Sequence, residues 1–127
     1  MPTVGILRTM PRDMTEPAFW VLTALAEIPR HGYAVLGRVE ELSVGQSPLK
    51  VSTLYATLER LERDGRVRVV REEVVDGRAR RTYDVTADGR AALSREADRL
   101  VARASAAQAS LGHGRPSPTR TTGLATA

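Results

Sequence analysis

Between positions 15 and 111 the apolar residues recur with two periods, near 3.6 and near 2, and these divide the chain into elements. Ala18, Phe19, Trp20, Val21, Leu22, Leu25, Ala26 and Ile28 wrap most of a helical circumference. Thr15-Glu16-Pro17 ahead of them offers a capping hydroxyl, a first-turn carboxylate and a proline whose missing N–H costs nothing there, so a helix is predicted over 15–28 and is stopped by Pro29. A helix apolar nearly all round must be covered on more than one side. One side faces a core, and Phe19, Trp20 and Leu22 become candidates for contact with a second subunit. A second helix, 33–42, follows the His31-Gly32-Tyr33 turn and carries Val35, Leu36, Val39 and Leu42. Gly37 within it predicts another helix backbone passing close by.

Ser47-Pro48 predicts the cap and first turn of a third helix that ends at Asp64-Gly65. At 100° per residue Val51, Leu54, Leu58 and Leu61 share one arc, and Ser52, Thr53, Ala56, Glu59, Arg60 and Arg63 share the opposite one. Short hydroxyl side chains at the N-terminal end of such a face let a helix backbone approach the floor of a major groove. An ordinary solvated face has the same composition. Next come two runs rich in β-branched residues, 67–75 and 79–85, on either side of Asp76-Gly77, a pair suited to a two-residue hairpin turn. Folding there sets Val74 opposite Ala79, Glu73 opposite Arg80, Glu72 opposite Arg81 and Val70 opposite Tyr83. A hairpin directly after three helices is a wing, with Arg78, Arg80 and Arg81 at its tip. Those arginines either reach a minor groove and phosphates or are neutralised by Glu72, Glu73 and Asp76. Thr86 caps a fourth helix running to 111, in which Leu93, Ala97, Leu100, Ala104, Ala107 and Leu111 make a heptad seam suited to self-association.

The domain reading is a flexible arm over 1–14, a winged helix-turn-helix over 15–86, a dimerisation helix over 87–111 and a disordered tail over 112–127. The fold class is mostly α with a β-hairpin wing.

Composition narrows the chemistry. The 127 residues include no cysteine and two histidines, which excludes disulfides and thiolate metal sites, and no metal or other cofactor is expected. No run approaches the ~20 apolar residues of a membrane helix, and no signal-peptide pattern opens the chain, so a cytoplasmic protein without membrane contact is expected. The net charge is +4, and of 19 cations only Lys50 is a lysine. Arginine's forked donors suit phosphates and guanine edges, although a GC-rich genome produces the same bias. No nucleophile stands beside a base and no glycine-rich phosphate loop is present, so an enzyme is not expected.

Leu22-x-x-Leu25, His31-Gly32-Tyr33, Thr53-Leu54-Tyr55 with Leu58-x-x-Leu61, Asp64-Gly65, Arg78-x-Arg80-Arg81-x-Tyr83 and Val85-Thr86-x-x-Gly89 occur in an order that resembles the PadR-like transcriptional regulators over roughly residues 15–100. The resemblance implies a winged helix-turn-helix, a homodimer held by its first and last helices, and repression relieved by a small effector or stress signal. The single C-terminal helix resembles the family's short branch. Lys50-Val51-Ser52 departs from the Ser-Pro-Gly found in many members. The last helix also lacks the tryptophan that stacks flat drugs in some of them, so Trp20, otherwise a packing residue, is the aromatic candidate for an effector.

On this reading double-stranded DNA is the partner. Ser52, Thr53 and Ala56 approach bases, while Lys50, Tyr55, Arg60 and Arg63 hold phosphates or guanine edges. The wing adds Arg78 and Arg80. Tyr33 either packs in the core or donates its hydroxyl to phosphate. The alternative is an interaction or assembly module without sequence-specific DNA contact. Ten cations and eight acids over 50–90 leave that segment at only +2, which speaks for the alternative.

Overall fold

The computed structural model describes residues 14–46 and 48–113. The order is α1 (Glu16–Glu27), β1 (Arg30–His31), α2 (Gly32–Leu42), α3 (Val51–Arg63), β2 (Val67–Val75), β3 (Arg78–Val85) and α4 (Ala87–His113). The described residues up to Glu96 make one compact unit, and the helix from Ala97 onward belongs to a second. The expectations for 1–13 and 114–127 lie outside the described residues. Met14, assigned above to the arm, packs against the core, and α4 runs two residues past the predicted end at 111.

Helix α1 starts as its sequence predicts. The Thr15 hydroxyl accepts from the Ala18 N–H at 3.2 Å, and Pro17 occupies the first turn. Val21, Leu22, Ala24 and Leu25 have no exposed surface. With Val35, Val39, Leu54, Leu58 and Leu61 they form the core on which the sheet residues Val67, Tyr83 and Val85 close. Leu22 is therefore a core residue and has nothing to offer a partner subunit. Its place on the helix face toward α2 and α3 overrides the apolar wrap that suggested an interface. Phe19 and Trp20 remain half-buried with their rings edge to face, 5.1 Å apart, and the Trp20 indole N–H donates to Glu16 at 3.2 Å.

No basic residue sits in the last turn of α1, yet its terminal carbonyls are satisfied from elsewhere. Arg30 donates to the Ala24 carbonyl and Arg90 to the Ala26 carbonyl, each at 3.1 Å. Pro29 holds Ile28 extended, and the two residues after it form a strand too short to show any periodicity. Arg30 pairs with Tyr83 and His31 with Thr82, giving a three-stranded antiparallel sheet in the order β1-β3-β2.

Glu27 lies between two arginines, with Arg38 Nη2 at 2.8 Å and Arg30 Nη2 at 2.7 Å. Hydrogen bonding from Arg38, helped by Arg30 and opposed by partial desolvation, holds its carboxyl at about 2 instead of 4.5. A carboxylate with a depressed folded pKa adds stability that is complete above its unfolded pKa and is lost as pH falls through the folded one. The stability gap between wild type and Glu27→Gln should thus be full at pH 6 and shrink between about 4.5 and 2, as read from urea midpoints at each pH.

Two details of the helix pair differ from expectation. Gly37 is exposed with no atom within 4 Å of an added Cβ, so no helix backbone passes there. Helix α3 begins at Val51 with Lys50 as an N-cap lacking any side-chain hydrogen bond, three residues after the predicted Ser47-Pro48 start, and Val51 is 41% exposed. The turn between α2 and α3 instead places Val44 (φ 54) and Gly45 (φ 71) in left-handed conformation, which costs a β-branched residue about 1–2 kcal/mol.

The hairpin turns at Asp76 (φ 53) and Gly77 (φ 76), the two positive-φ residues a type I′ turn requires. Val74 pairs with Ala79, Glu73 with Arg80 and Glu72 with Arg81, as predicted. Tyr83, however, pairs with Val69 and not with Val70, because a bulge falls between Val69 and Arg71. The extra residue shifts the alternation of β2, so Val67 and Val69 face the core with Val85 and Tyr83 while Val70 is left exposed. A bulge inside a run of β-branched residues leaves no mark on the period.

The start of α4 is fixed by one hydroxyl. Thr86 Oγ1 donates to the Gly65 carbonyl at 2.7 Å and accepts from the Gly89 N–H at 3.0 Å, while the Thr86 N–H donates to the Arg66 carbonyl at 3.0 Å. Gly89 is buried here, and a Cβ would overlap the Arg66 carbonyl and stand 2.7 Å from Val85 Cγ2. Ala92 is buried and Leu93 half-buried against the core, so Leu93 is already committed within its own chain. The remaining seam residues, Ala97, Leu100, Ala104, Ala107 and Leu111, are exposed in the single chain.

Candidate nucleic-acid interface

Helix α3 has a sharply divided surface. Leu54, Leu58 and Leu61 are buried, whereas Ser52, Ala56 and Arg60 are exposed at successive i, i+4 positions, with Thr53 and Thr57 half-buried beside them. Together with Thr15 and Pro17 from the start of α1, these five outward residues line an open groove of about 570 Å³. Thr15 and Thr57 were not among the site residues the sequence singled out. Thr57 was legible as the i+4 neighbour of Thr53, but Thr15 read only as a cap.

Arg60 has no carboxylate within ion-pair distance among the described residues, whereas Arg63 lies 4.0 Å from Glu59 with both side chains largely solvated. A solvated pair at that distance is worth little and leaves Arg63 only loosely held. Lys50 is exposed at the N-cap of α3. Neither Lys50 nor Arg63 lines the groove.

The wing brings a second set of residues together. Tyr33 of α2, Tyr55 of α3 and Arg78 and Arg80 of β3 line a cavity of about 480 Å³, joined there by His31 and Tyr83. Gly32 makes this convergence possible: the Tyr55 ring lies directly on it, and a Cβ would stand 2.8 Å from Tyr55 Cζ. Tyr55 is thus braced against α2 while remaining 41% exposed, and Tyr33 is 62% exposed, which settles Tyr33 as a surface residue and not a core one.

The arginines at the wing tip are not equivalent. Arg81 Nε lies 3.4 Å from Glu72, and the charge of Glu72 with a hydrogen bond to Tyr83 strengthens the protonated state of Arg81. Burial pushes the Tyr83 hydroxyl upward in pKa, and Arg81 partly offsets that. Among the described residues Arg78 and Arg80 form no ion pair, although Glu73 stands opposite Arg80 in the ladder. Of Glu72, Glu73 and Asp76, Glu72 alone pairs with a wing arginine among the described residues, and that arginine is Arg81. Among the described residues no group of three or more His, Cys, Asp or Glu side chains is placed to hold a metal ion.

Three helices, a short third strand and a hairpin with an arginine-bearing tip define a winged helix-turn-helix protein. Residues 21–95 match the model of the Transcriptional regulator PadR-like family, and the chain belongs to that family, one of transcriptional regulators and not of enzymes. Transcriptional regulator Rv3488 of Mycobacterium tuberculosis is 49% identical over 70 residues, 55% of this chain and 51% of that one, so the chain spans about half the length of this relative. Among solved structures, a transcriptional regulator from Thermoplasma acidophilum superposes with a TM-score of 0.61 at 21% identity, covering 76% of this chain and 89% of its own. The PadR of Bacillus subtilis, solved in complex with operator DNA, superposes at 0.55 with 20% identity over 61% of this chain and 45% of its own. At these identities the two structures share the fold. Among the described residues no helix is long and apolar enough to cross a membrane.

Proposed function

We propose that the protein is a homodimeric DNA-binding transcriptional regulator acting in the cytoplasm as the repressor of a pseudo-palindromic operator, relieved by a small effector or stress signal. The observation that carries this reading is the open face of α3. Ser52, Ala56 and Arg60 are exposed among the described residues, and the wing adds two arginines without carboxylate partners there. In a symmetric dimer two such helices would enter successive major grooves about 34–36 Å apart. Small hydroxyl residues bring the helix backbone close to bases, Arg60 supplies a fork matched to a guanine edge, and Arg78 and Arg80 lie with Tyr33 where a flanking backbone would run. The solved operator complex of a family member supports this use of the fold.

The seam on α4 supplies the dimer. Leu100, 38% exposed, is the largest side chain near its middle. Leu100→Glu should give a folded monomer by sedimentation that has lost the full-operator affinity; a monomer binding the full operator normally would refute the coupling.

Selection of bound duplexes from a random pool by the purified protein tests the central reading. A recovered palindrome with half-sites one turn apart is expected. Its affinity should fall by about 10³- to 10⁵-fold between 50 and 200 mM salt if the dimer engages six to ten phosphates. A flat salt response, or no sequence enrichment, would exclude the operator-binding reading.

A further inference from the structure

We infer that the cavity between the wing and the α2–α3 pair is a binding site for a phosphorylated planar ligand of mononucleotide size, separate from the groove along α3. Its volume of about 480 Å³ falls in the range of small-molecule pockets, roughly 300–1,000 Å³. Three elements each contribute one tyrosine: Tyr33 from α2, Tyr55 from α3 and Tyr83 from β3. Among the described residues no carboxylate lines the cavity, while Arg78 and Arg80 do, and neither is in an ion pair there. The third arginine, Arg81, instead pairs with Glu72 at 3.4 Å.

This donor set selects the ligand. Two unpaired guanidinium forks match phosphate oxygens, and exposed tyrosine faces match the π-surface of a nucleobase. A bare anion would use the arginines and leave the rings uncovered. A neutral aromatic would do the reverse. A nucleotide engages both, whether it is free in solution or part of an unpaired strand. Because Tyr33, Tyr55, Arg78 and Arg80 are also residues assigned to the operator contact, a bound nucleotide would compete with duplex there. That consequence alone rests on the operator-binding reading.

The test is calorimetric titration of the full chain with 5′-AMP and 5′-GMP, beside adenosine, inorganic phosphate and a short single-stranded oligothymidylate. Saturable mononucleotide binding is expected, with adenosine and phosphate each at least about tenfold weaker, because each lacks one half of the recognition. Arg78→Ala with Arg80→Ala should lower nucleotide affinity by about tenfold or more, and Tyr33→Leu should weaken nucleotide while sparing phosphate. Both variants alter exposed side chains and should keep the wild-type melting temperature. An oligonucleotide that binds better per nucleotide than AMP would assign the site to an unpaired strand; equal binding would assign it to free nucleotides. Nucleotide binding no tighter than that of phosphate, or unchanged in both variants, overturns the proposal. In a duplex assay, operator binding without any nucleotide binding defeats this inference and leaves the regulator reading standing. Nucleotide binding without any duplex binding does the opposite.

Discussion

Arg60→Ala should weaken operator binding by roughly 30-fold to 3 × 10⁴-fold, and the loss should concentrate at one base-pair position in each half-site. A bidentate arginine on a guanine edge is worth about 1–3 kcal/mol of discrimination, and a symmetric dimer loses it twice. Arg60 is the cation on the open face of α3 that lines the groove with Ser52 and Ala56 and, among the described residues, has no carboxylate to hold it back. Competition binding against operators substituted one position at a time gives the readout. Arg78→Ala provides the contrast, since a phosphate contact should weaken all sequences alike and lower the salt slope by about 1 per site lost. If Arg60→Ala weakened every sequence equally, Arg60 would be a backbone contact, and specificity would have to come from Ser52, Thr53 and Ala56.

Gly89→Ala should destabilise the winged unit by about 3 kcal/mol, while the same change at Gly37 should stabilise it by up to about 1 kcal/mol. At Gly89 the new methyl group falls on the Arg66 carbonyl and against Val85, and backbone cannot step aside as a flexible side chain can. Relief requires the first turn of α4 to lift away from the β2 entry, which strains the Thr86 hydrogen bonds to Gly65 and Arg66. Gly37 is a helical glycine in open space, where alanine only lowers the entropy lost on folding. For a domain near 100 residues each kcal/mol moves the melting temperature by about 4–8 °C, so the two variants should fall on opposite sides of wild type in one thermal scan. A Gly89→Ala protein as stable as wild type would mean that α4 does not pack this closely.

The two glycines also show where sequence reading stops. Gly37 interrupts a helical pattern and so suggested a close helix crossing. Gly89 drew notice only as the end of a family motif, yet it is the one in tight contact. A glycine's identity says that a side chain is absent, not what fills its place. The amphipathic division of α3 could be read because its leucines repeat at helical spacing and its outward residues are polar or small. The start of α3 could not, because Ser47-Pro48 is as good a local start signal as the observed Lys50, and the choice depends on how the loop from Val44 spans the distance to the core. Leu22 shows the same limit from another direction. Its apolarity was plain, but only packing against α2 and α3 could show that none of it remains for a partner.

Periodicity and turn chemistry by themselves determined the four helices found among the described residues, the hairpin with its Asp76-Gly77 turn, and the solvent-directed face of α3, because these depend on contacts a few residues apart. The third strand, the bulge at Val70, the brace of Tyr55 on Gly32 and the pairing of Arg81, alone of the wing arginines among the described residues, with Glu72 were decided by tertiary structure alone. Each of these joins elements distant along the chain. Their geometry is set when β3 is clamped between β1 and β2 while the core closes, and no local pattern of residues encodes that closure.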